Sequence, residues 1–275
     1  MPAMPATAPS LLLAQPRGFC AGVVRAISVV EQALALYGAP VCVFHEIVHN
    51  GHVVQGLRAR GVVFVERIDS IPERAVAVFS AHGVAHSVVD EASARQLRSI
   101  DATCPLVAKV QAQAQRDAQA GRTVLVDDTR DIIAVLQQRF PGIQGPALAD
   151  ICYASQNRQA AVRQMARQAD GLLVVGARNS SNACRLREVG EQQGMRAWLV
   201  EDASQIDPAW LQGLRCIGVT AGASTPEHLV QAVCARLRSL GVRQVRQLPG
   251  QADRVRFALP AGLERLPASA PALTA

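Results

Sequence analysis

Short apolar runs of strand length alternate along this chain with longer amphipathic segments. The strand-length runs are "VCVFHEIV", "GVVFV", "AVAVFS", "TVLV", "GLLVVG", "AWLV" and "CIGVT". The segments with helical periodicity are "AGVVRAISVVEQALALYG", "VAKVQAQAQRDAQAG", "RQAAVRQMARQAD", "CRLREVGEQQG" and "TPEHLVQAVCARLRSLG". Two parallel strands need a crossover connection of a dozen or more residues, usually a helix, so this alternation leaves few possible folds. It predicts an α/β protein with mainly parallel sheets.

The size and the start of the chain favour a globular cytoplasmic protein. The chain has 275 residues, of which 49% are hydrophobic, enough for a substantial core. No apolar run approaches the roughly 20 residues that a membrane-spanning helix needs. The first ten residues, "MPAMPATAPS", lack the basic start and the long apolar stretch of a signal peptide. We therefore expect a cytoplasmic location and no membrane partner.

The positive charge of the chain is spread out. The formal net charge is +6, all but one of the 28 basic residues are arginines, and aromatic residues make up only 4%. A nucleic-acid surface would show a clustered basic stripe with interleaved aromatic residues. The sequence therefore predicts no nucleic-acid partner.

Three of the seven cysteines follow predicted strands and precede predicted helices. They are Cys20 in "PRGFCAG", Cys104 in "DATCPLV" and Cys152 in "DICYASQNR". Open α/β sheets bind ligands at the carboxyl ends of their strands, and the N–H groups at a helix start stabilise a thiolate. A cysteine followed by proline, as at Cys104, recurs among iron–sulfur ligands. Three such loops could hold three irons of a cubane cluster and leave the fourth iron open to a substrate.

A second interpretation of these cysteines stays open, because free cysteine is often simply a small buried residue. We assign that role to Cys42, Cys216 and Cys234, which lie inside strand or helix patterns, and leave Cys184 undecided. An odd number of cysteines without an export signal argues against a disulfide framework.

Two polar loops could bind an anion. "GARNSSNACR" offers Asn179, Ser180, Ser181 and Asn182, and "TAGASTPEH" offers Ser224 and Thr225. Hydroxyls, amides and free N–H groups at a helix N-terminus suit a phosphate or diphosphate. Plain N-capping is the alternative for any single residue, and Thr225 before Pro226 and Glu227 is a candidate N-cap.

Two histidines lie near strand ends, where they could donate to the same anion. They are His49 in "HEIVHN" and His82 in "SAHGV". His45 and His49 have a metal-ligand spacing only if the stretch is helical, and it is predicted as a strand, so we do not expect zinc. We assign the other histidines to the surface or the core: His45, His52, His86 and His228.

A nucleotide-binding α/β protein would need a G-x-G-x-x-G or G-x-x-x-x-G-K-[ST] turn, and neither occurs. A different match covers residues 11 to 248. In order, "PRGFCAGVVRAI", "HEIVHN", "SAHGV", "DATCPLV", "DICYA", "RNSSN" and "VTAGAST" closely resemble the LytB family, the 4-hydroxy-3-methylbut-2-enyl diphosphate reductases of the non-mevalonate isoprenoid route.

The resemblance implies a three-lobed, pseudo-threefold arrangement of small, mainly parallel sheets with flanking helices around a central 4Fe-4S cluster. By matching motifs, the cluster ligands would be Cys20, Cys104 and Cys152. The diphosphate of the substrate would be held by His49, His82, Ser180, Ser181, Asn182 and Ser224. In this family two electrons and protons remove the substrate hydroxyl as water, to give isopentenyl and dimethylallyl diphosphate. A ferredoxin or flavodoxin would supply the electrons.

The middle lobe departs from the family pattern. Cys104 follows Cys20 by 84 positions, but Cys152 follows Cys104 by only 48. Roughly fifty residues are missing, about the size of the smallest domains. In the family they include a loop like "GHPEVEG", with a third diphosphate-binding histidine and the proton-relay glutamate, and a threonine loop. We therefore predict no catalytic proton-relay residue; the nearby Asp127, Asp128 and Asp131 are better explained as first-turn residues of a helix.

The loss leaves two functions open: a reductase, impaired by the missing general acid, or a non-catalytic paralogue that binds the cluster and either binds diphosphate or senses oxygen or iron. A shortened lobe would also expose apolar surface, and a homodimer is one arrangement that would cover it. The predicted division of the chain is a disordered extension at 1–10, a first lobe at 11–104, a shortened middle lobe at 105–147, a third lobe at 148–240, and a C-terminal strand ("VRFALP") and disordered tail at 241–275.

Overall fold

Two parallel sheets form the framework of the protein. A computed structural model describes residues 9–121, 151–250 and 253–263. The five-stranded sheet has the order β7-β6-β8-β1-β9, and the four-stranded sheet has the order β3-β2-β4-β5. The strands are β1 Ser10–Leu13, β2 Val41–Phe44, β3 Val62–Val65, β4 Val76–Phe79, β5 Arg98–Asp101, β6 Gly171–Val175, β7 Arg196–Val200, β8 Cys216–Ala221 and β9 Gln244–Gln247. Every pairing in both sheets is parallel.

α-Helices make most of the connections between strands, as is usual for parallel pairing, while β3 to β4 and β7 to β8 are connected through short 3-10 helices. The α-helices are α1 Ala21–Tyr37, α2 Gly51–Ala59, α3 His86–Ala94, α4 Pro105–Gln119, α5 Tyr153–Met165, α6 Ser181–Gln192 and α7 Glu227–Ser239. Among the residues that the structure describes, no helix is both long and apolar enough to cross a membrane.

The five-stranded sheet is covered on both faces. β6 and β8 are buried along their whole lengths. One face packs Leu173 and Val219 against α7, and the opposite face packs Leu172 and Val174 against α5 and α6. Burying a side chain of this size contributes about 1.5–3 kcal/mol, which explains why these strands are continuous apolar runs.

The four-stranded sheet is also apolar on both faces. Val43 and Val78 pack against Ile27 and Val30 of α1. On the other face Phe44 and Phe79 belong to a cluster with Ile68, Ile71, Ala92 and Leu97. α1 therefore bridges the two halves of the chain: it follows β1 of one sheet and packs on the other.

The predicted α/β class with mainly parallel sheets is confirmed, and three details differ. β1 lies inside the predicted first lobe of 11–104, but it pairs with β8 and β9 of the five-stranded sheet. The C-terminal strand is Gln244–Gln247, and "VRFALP" at 255–260 forms no strand. α7 begins at Glu227 with Pro226 as N-cap, because the Thr225 hydroxyl instead donates to the Val175 carbonyl at 2.9 Å.

Several expectations fall outside the described residues. They are most of the shortened middle lobe, whose described part is α4, the predicted strand "TVLV", Asp127, Asp128 and Asp131, and most of the disordered segments predicted at the two termini.

Candidate active site

The loops at the carboxyl ends of the two sheets contact one another. The Ser224 hydroxyl, after β8, donates to the His49 carbonyl at 3.0 Å, after β2. Asn179, after β6, donates to the Glu46 carboxylate at 3.3 Å. These contacts place the ligand-binding edges of both sheets face to face, where α/β proteins bind their ligands.

Each of the three predicted cysteine ligands is the N-cap residue of a helix. Cys20 precedes α1, Cys104 precedes α4 and Cys152 precedes α5, and none of the three side chains makes a capping hydrogen bond. Each sulfur atom therefore lies at the positive end of a helix without serving as its side-chain cap. The predicted position of each cysteine, immediately before a helix, is the one that the structure shows.

Cys20 and Cys104 lie together over Gly22. A Cβ at Gly22 would be 2.6 Å from the Cys104 sulfur and 3.8 Å from the Cys20 sulfur. The backbone holds both loops, because the Cys20 N–H donates to the Ala223 carbonyl at 3.1 Å and the Cys104 N–H donates to the Ala81 carbonyl at 3.0 Å. Only a residue without a side chain leaves room for both sulfurs here.

The third thiol is within electrostatic range of the first. Burial raises the pKa of Cys20, while the N–H groups of Val23 and Gly22 and the charge of Arg158 lower it, and Cys152 raises it further. The helix start thus favours the thiolate, as expected, but burial outweighs it in the free protein.

The donor set fits an iron–sulfur cluster better than a single ion. Within the described ranges no three His, Cys, Asp or Glu side chains converge tightly enough for one metal ion. A cluster presents a separate iron to each thiolate, so its cysteines need not converge on one point. Three thiols at helix starts, two of them beside a space at Gly22 that one methyl group would fill, fit such a group.

The two predicted histidines stack on each other. The ring centroids of His49 and His82 are 4.3 Å apart, with 18° between the ring planes. Partial burial of its ring lowers the pKa of His82, and the charge of His49 lowers it further, while Glu46 opposes the shift. Glu46 also lies 3.4 Å from the His49 ring nitrogen Nδ1, which orients that ring.

The polar loops are connected to the cysteine loops by hydrogen bonds. Asn182 accepts from the Ala223 N–H at 2.9 Å and donates to the Ser155 hydroxyl at 3.0 Å. Ser155 in turn lies 3.3 Å from the Cys152 sulfur. The candidate anion loop is therefore linked by hydrogen bonds to one cysteine loop directly and to Cys20 through Ala223.

The two serines of this loop have different surroundings. Ser180 is buried and caps α6, accepting from the Ala183 N–H at 3.4 Å, so N-capping accounts for it in the free protein. Ser181 is the exposed first residue of α6. Their role in holding a diphosphate stays a prediction.

The residues that sequence reasoning assigned to the surface or the core have those surroundings. His45, His52, His86 and His228 are exposed, and Cys42, Cys216 and Cys234 are buried in the cores. The thiol of Cys184 donates to the Arg178 carbonyl at 3.2 Å.

Three residues of the site were not predicted: Glu46, Ser155 and Arg158. Ser155 follows Cys152 by three residues on a helix, a spacing that places both on one face. Arg158 is fully buried, which a single sequence does not reveal. Glu46 lies in a stretch predicted as strand, but β2 ends at Phe44 and His45 takes a left-handed conformation with φ +59°.

The chain is similar to known proteins over most of its length. The profile of the family described as "LytB protein" matches residues 11–127 and 121–238. The chain is 46% identical to 4-hydroxy-3-methylbut-2-enyl diphosphate reductase 1 of Rhodopseudomonas palustris over 303 positions, covering 92% of this chain and 99% of the relative. It is 48% identical over 305 positions to the reductase of Bordetella pertussis, covering 93% and 94%. Both alignments are longer than the chain, so they contain gaps in it.

The fold resembles solved structures as well. The E-1-hydroxy-2-methyl-but-2-enyl-4-diphosphate reductase of Plasmodium falciparum superposes with a TM-score of 0.85 at 28% identity, covering 93% of this chain and 97% of that one. A second structure, described as (E)-4-hydroxy-3-methyl-but-2-enyl diphosphate reductase, gives a TM-score of 0.57 at 24% identity, covering 84% and 99%, and supports the fold alone.

Proposed function

The chain belongs to the LytB protein family, and from that premise we propose that it is a 4-hydroxy-3-methylbut-2-enyl diphosphate reductase of the non-mevalonate isoprenoid route. The observation that carries the proposal is the meeting of three cysteine N-caps, a stacked histidine pair and two serine and asparagine loops at the facing edges of two sheets. The names of the relatives favour a reductase over the alternative of a non-catalytic paralogue.

We propose that Cys20, Cys104 and Cys152 hold a 4Fe-4S cluster. When bound, such a cluster supplies one-electron chemistry. The three helix starts contribute N–H groups and positive ends, which offset the charge of thiolate ligands. Gly22 leaves the space in which the Cys104 sulfur sits beside that of Cys20.

The histidine pair and the polar loops would bind the diphosphate of the substrate. The proposed contacts are His49, His82, Ser180, Ser181, Asn182 and Ser224. Because the pKa of His82 is lowered in the free protein, an anion beside it would favour the protonated ring. We therefore expect proton uptake when diphosphate binds, measurable by calorimetry in two buffers of different ionisation enthalpy.

The overall reaction replaces a hydroxyl by hydrogen: the substrate takes up two electrons and two protons and releases water. The family glutamate that relays protons belongs to the segment that this sequence lacks, so proton delivery falls to water or another side chain. General-acid assistance is typically worth about 10²- to 10⁴-fold, so we expect turnover below that of a full-length relative. We propose a ferredoxin or flavodoxin as electron donor, which would bind to the basic surface of the protein.

Anaerobic reconstitution with iron and sulfide, followed by turnover of the substrate with a reduced viologen dye, tests the proposal. Measurable product is expected from the wild-type chain and none from Cys104→Ser. Cys184→Ser is the matched control, because a serine hydroxyl can also donate to the Arg178 carbonyl. An intact cluster that yields no product would instead identify a non-catalytic paralogue.

A further inference from the structure

Arg158 of α5 is the largest fully buried side chain outside the apolar clusters, and its guanidinium contacts the loop before Cys20. Its Nε and Nη2 donate to the Gly18 carbonyl at 3.2 and 2.7 Å, and Nη2 also donates to the Phe19 carbonyl at 3.3 Å. One side chain therefore fixes the two residues that immediately precede Cys20.

The same guanidinium contacts the first turn of α5, directly after Cys152, and the C-terminal part of the chain. Its Nη1 donates to the carbonyl of Ala154, two residues after Cys152, at 2.8 Å. It also pairs at 2.9 Å with the carboxylate of Asp253, whose side chain is only 12% exposed. The ion pair neutralises a charge that would be costly if it were buried alone.

Arg25 of α1 makes an equivalent connection at the remaining cysteine. Its Nη1 donates at 3.0 Å to the carbonyl of Thr103, the residue before Cys104. Its Nε donates at 2.7 Å to the carbonyl of Ala258. Each arginine thus links the backbone beside a cysteine to the same C-terminal segment.

That segment, residues 253–263, has no helix or strand, yet it is anchored at both ends. Asp253 also accepts from Asn157 of α5 at 3.4 Å. Further along, Leu259 and the buried Leu263 pack into the core between α1 and the four-stranded sheet. The segment therefore runs from the helix of Cys152 to the helix of Cys20.

We propose that Arg25 and Arg158 are positioning residues for the three cysteine ligands, and that residues 253–263 hold the two arginines in place. The inference rests on the proposed function, because it concerns the cluster that the cysteines would hold. Loss of a residue that hydrogen-bonds to metal ligands and orients them typically lowers metal affinity by about 10- to 100-fold.

The planar guanidinium of arginine is suited to positioning these residues, because its N–H groups donate at fixed angles to several carbonyls and to a carboxylate at once. Lysine keeps the positive charge but offers a single point of attachment. Arg158→Lys is therefore expected to retain part of the effect that Arg158→Gln removes.

The test measures iron and sulfide per chain after anaerobic reconstitution, the electron paramagnetic resonance signal of the reduced cluster, and the rate of cluster loss in air. The variants are Arg158→Gln, Arg25→Gln and Asp253→Asn in the full chain. We expect roughly tenfold faster cluster loss and an altered signal in all three. Asp253→Asn guards against a folding failure, because it leaves both arginines in place.

Two controls separate positioning from general stability. Arg163→Gln removes an exposed arginine of the same helix that donates to the Gln159 side chain at 3.3 Å. Gly190→Ala places a methyl group against a methyl group of Leu172, in the core between α6 and the five-stranded sheet. The variant therefore destabilises the fold away from the cysteines. Both are expected to keep the wild-type signal and the wild-type rate of cluster loss.

The outcomes are distinguishable. A wild-type chain that takes up no cluster would overturn the proposed function and this inference together. A wild-type cluster that survives unchanged in Arg158→Gln, Arg25→Gln and Asp253→Asn would overturn this inference alone. It would also be overturned if cluster loss in Gly190→Ala followed its loss of stability as steeply as in the arginine variants.

Discussion

Gly22→Ala places one methyl group against the sulfur of Cys104. The added carbon would lie 2.6 Å from that sulfur, 3.2 Å from the Cys104 Cβ and 3.8 Å from the sulfur of Cys20. Non-bonded heavy atoms settle about 3.5–4.0 Å apart, so the Cys104 sulfur must move by roughly 1 Å. Gly22 lies in the first turn of α1, where alanine is otherwise a better helix former.

The cost to the fold is expected to be small. Overpacking a well-filled site costs about 1–3 kcal/mol. Replacing glycine by alanine in a helix returns roughly 0.5–1 kcal/mol. The free energy of unfolding of the cluster-free chain should therefore fall by no more than about 2.5 kcal/mol, and we expect the variant to fold.

The cost to the site is larger, because a ligand that moves by about 1 Å no longer sits where the other two require it. A misplacement of this size can lower a reaction rate by about 100-fold. We expect Gly22→Ala to bind less iron after anaerobic reconstitution and to lose about 100-fold in turnover per chain. Iron analysis, dye-linked turnover and urea denaturation measure the three quantities.

Two glycine variants provide matched controls. Gly51→Ala, at the first residue of α2, meets nothing within 4 Å and should change neither stability nor iron content appreciably. Gly190→Ala overlaps Leu172 and should lower stability without lowering iron content. Wild-type iron content and turnover in Gly22→Ala would refute the reasoning that this glycine makes room for the Cys104 sulfur.

Three further predictions concern stability. The pKa of His82 lies below its unfolded value of about 6.5, so the free energy of unfolding of the cluster-free protein should fall modestly as the pH drops below about 6.5, since solvent around the exposed residue weakens the effect. His82→Asn should flatten this slope in urea denaturation, and an unchanged slope would contradict the assignment. Burial opposes the shift at Asp170, but N–H donors such as that of Cys216, at 3.0 Å, lower its pKa. Asp170→Asn should therefore lose about 1–3 kcal/mol at neutral pH, and an unaltered urea midpoint would exclude that role. Gly218→Ala overlaps the sulfur of Met165 in the core and should cost about 1–3 kcal/mol, visible as a lower melting temperature.

Elements with strong apolar patterns were predictable from the sequence. "GLLVVG" and "CIGVT" became the fully buried strands β6 and β8, because burial on both faces demands continuous apolar residues. β5 and β9, with the sequences "RSID" and "QVRQ", are mostly exposed strands without such a pattern. The pairing of β1 with distant strands depends on tertiary contacts that no local window contains.

The candidate site likewise contains residues that the sequence predicted and residues that it did not. The sequence predicted that each of the three cysteines stands immediately before a helix, and all three are N-caps, whereas their role as cluster ligands stays a prediction from the family resemblance. Arg158 was missed because an arginine is ordinarily exposed. Its burial depends on carbonyls 140 and 139 positions away along the chain and on a carboxylate 95 positions away.

The position of β1 has a consequence for synthesis of the protein. β1 is synthesised well before its two neighbours, β8 and β9. The Cys20 N–H likewise has no Ala223 carbonyl to donate to until that residue is made. A nascent chain that contains all three cysteines but not yet β8 therefore lacks these partners of the first cysteine loop. We expect iron and sulfide to enter only after β8 and β9 have been synthesised, so that a translation product interrupted before β8 captures no cluster.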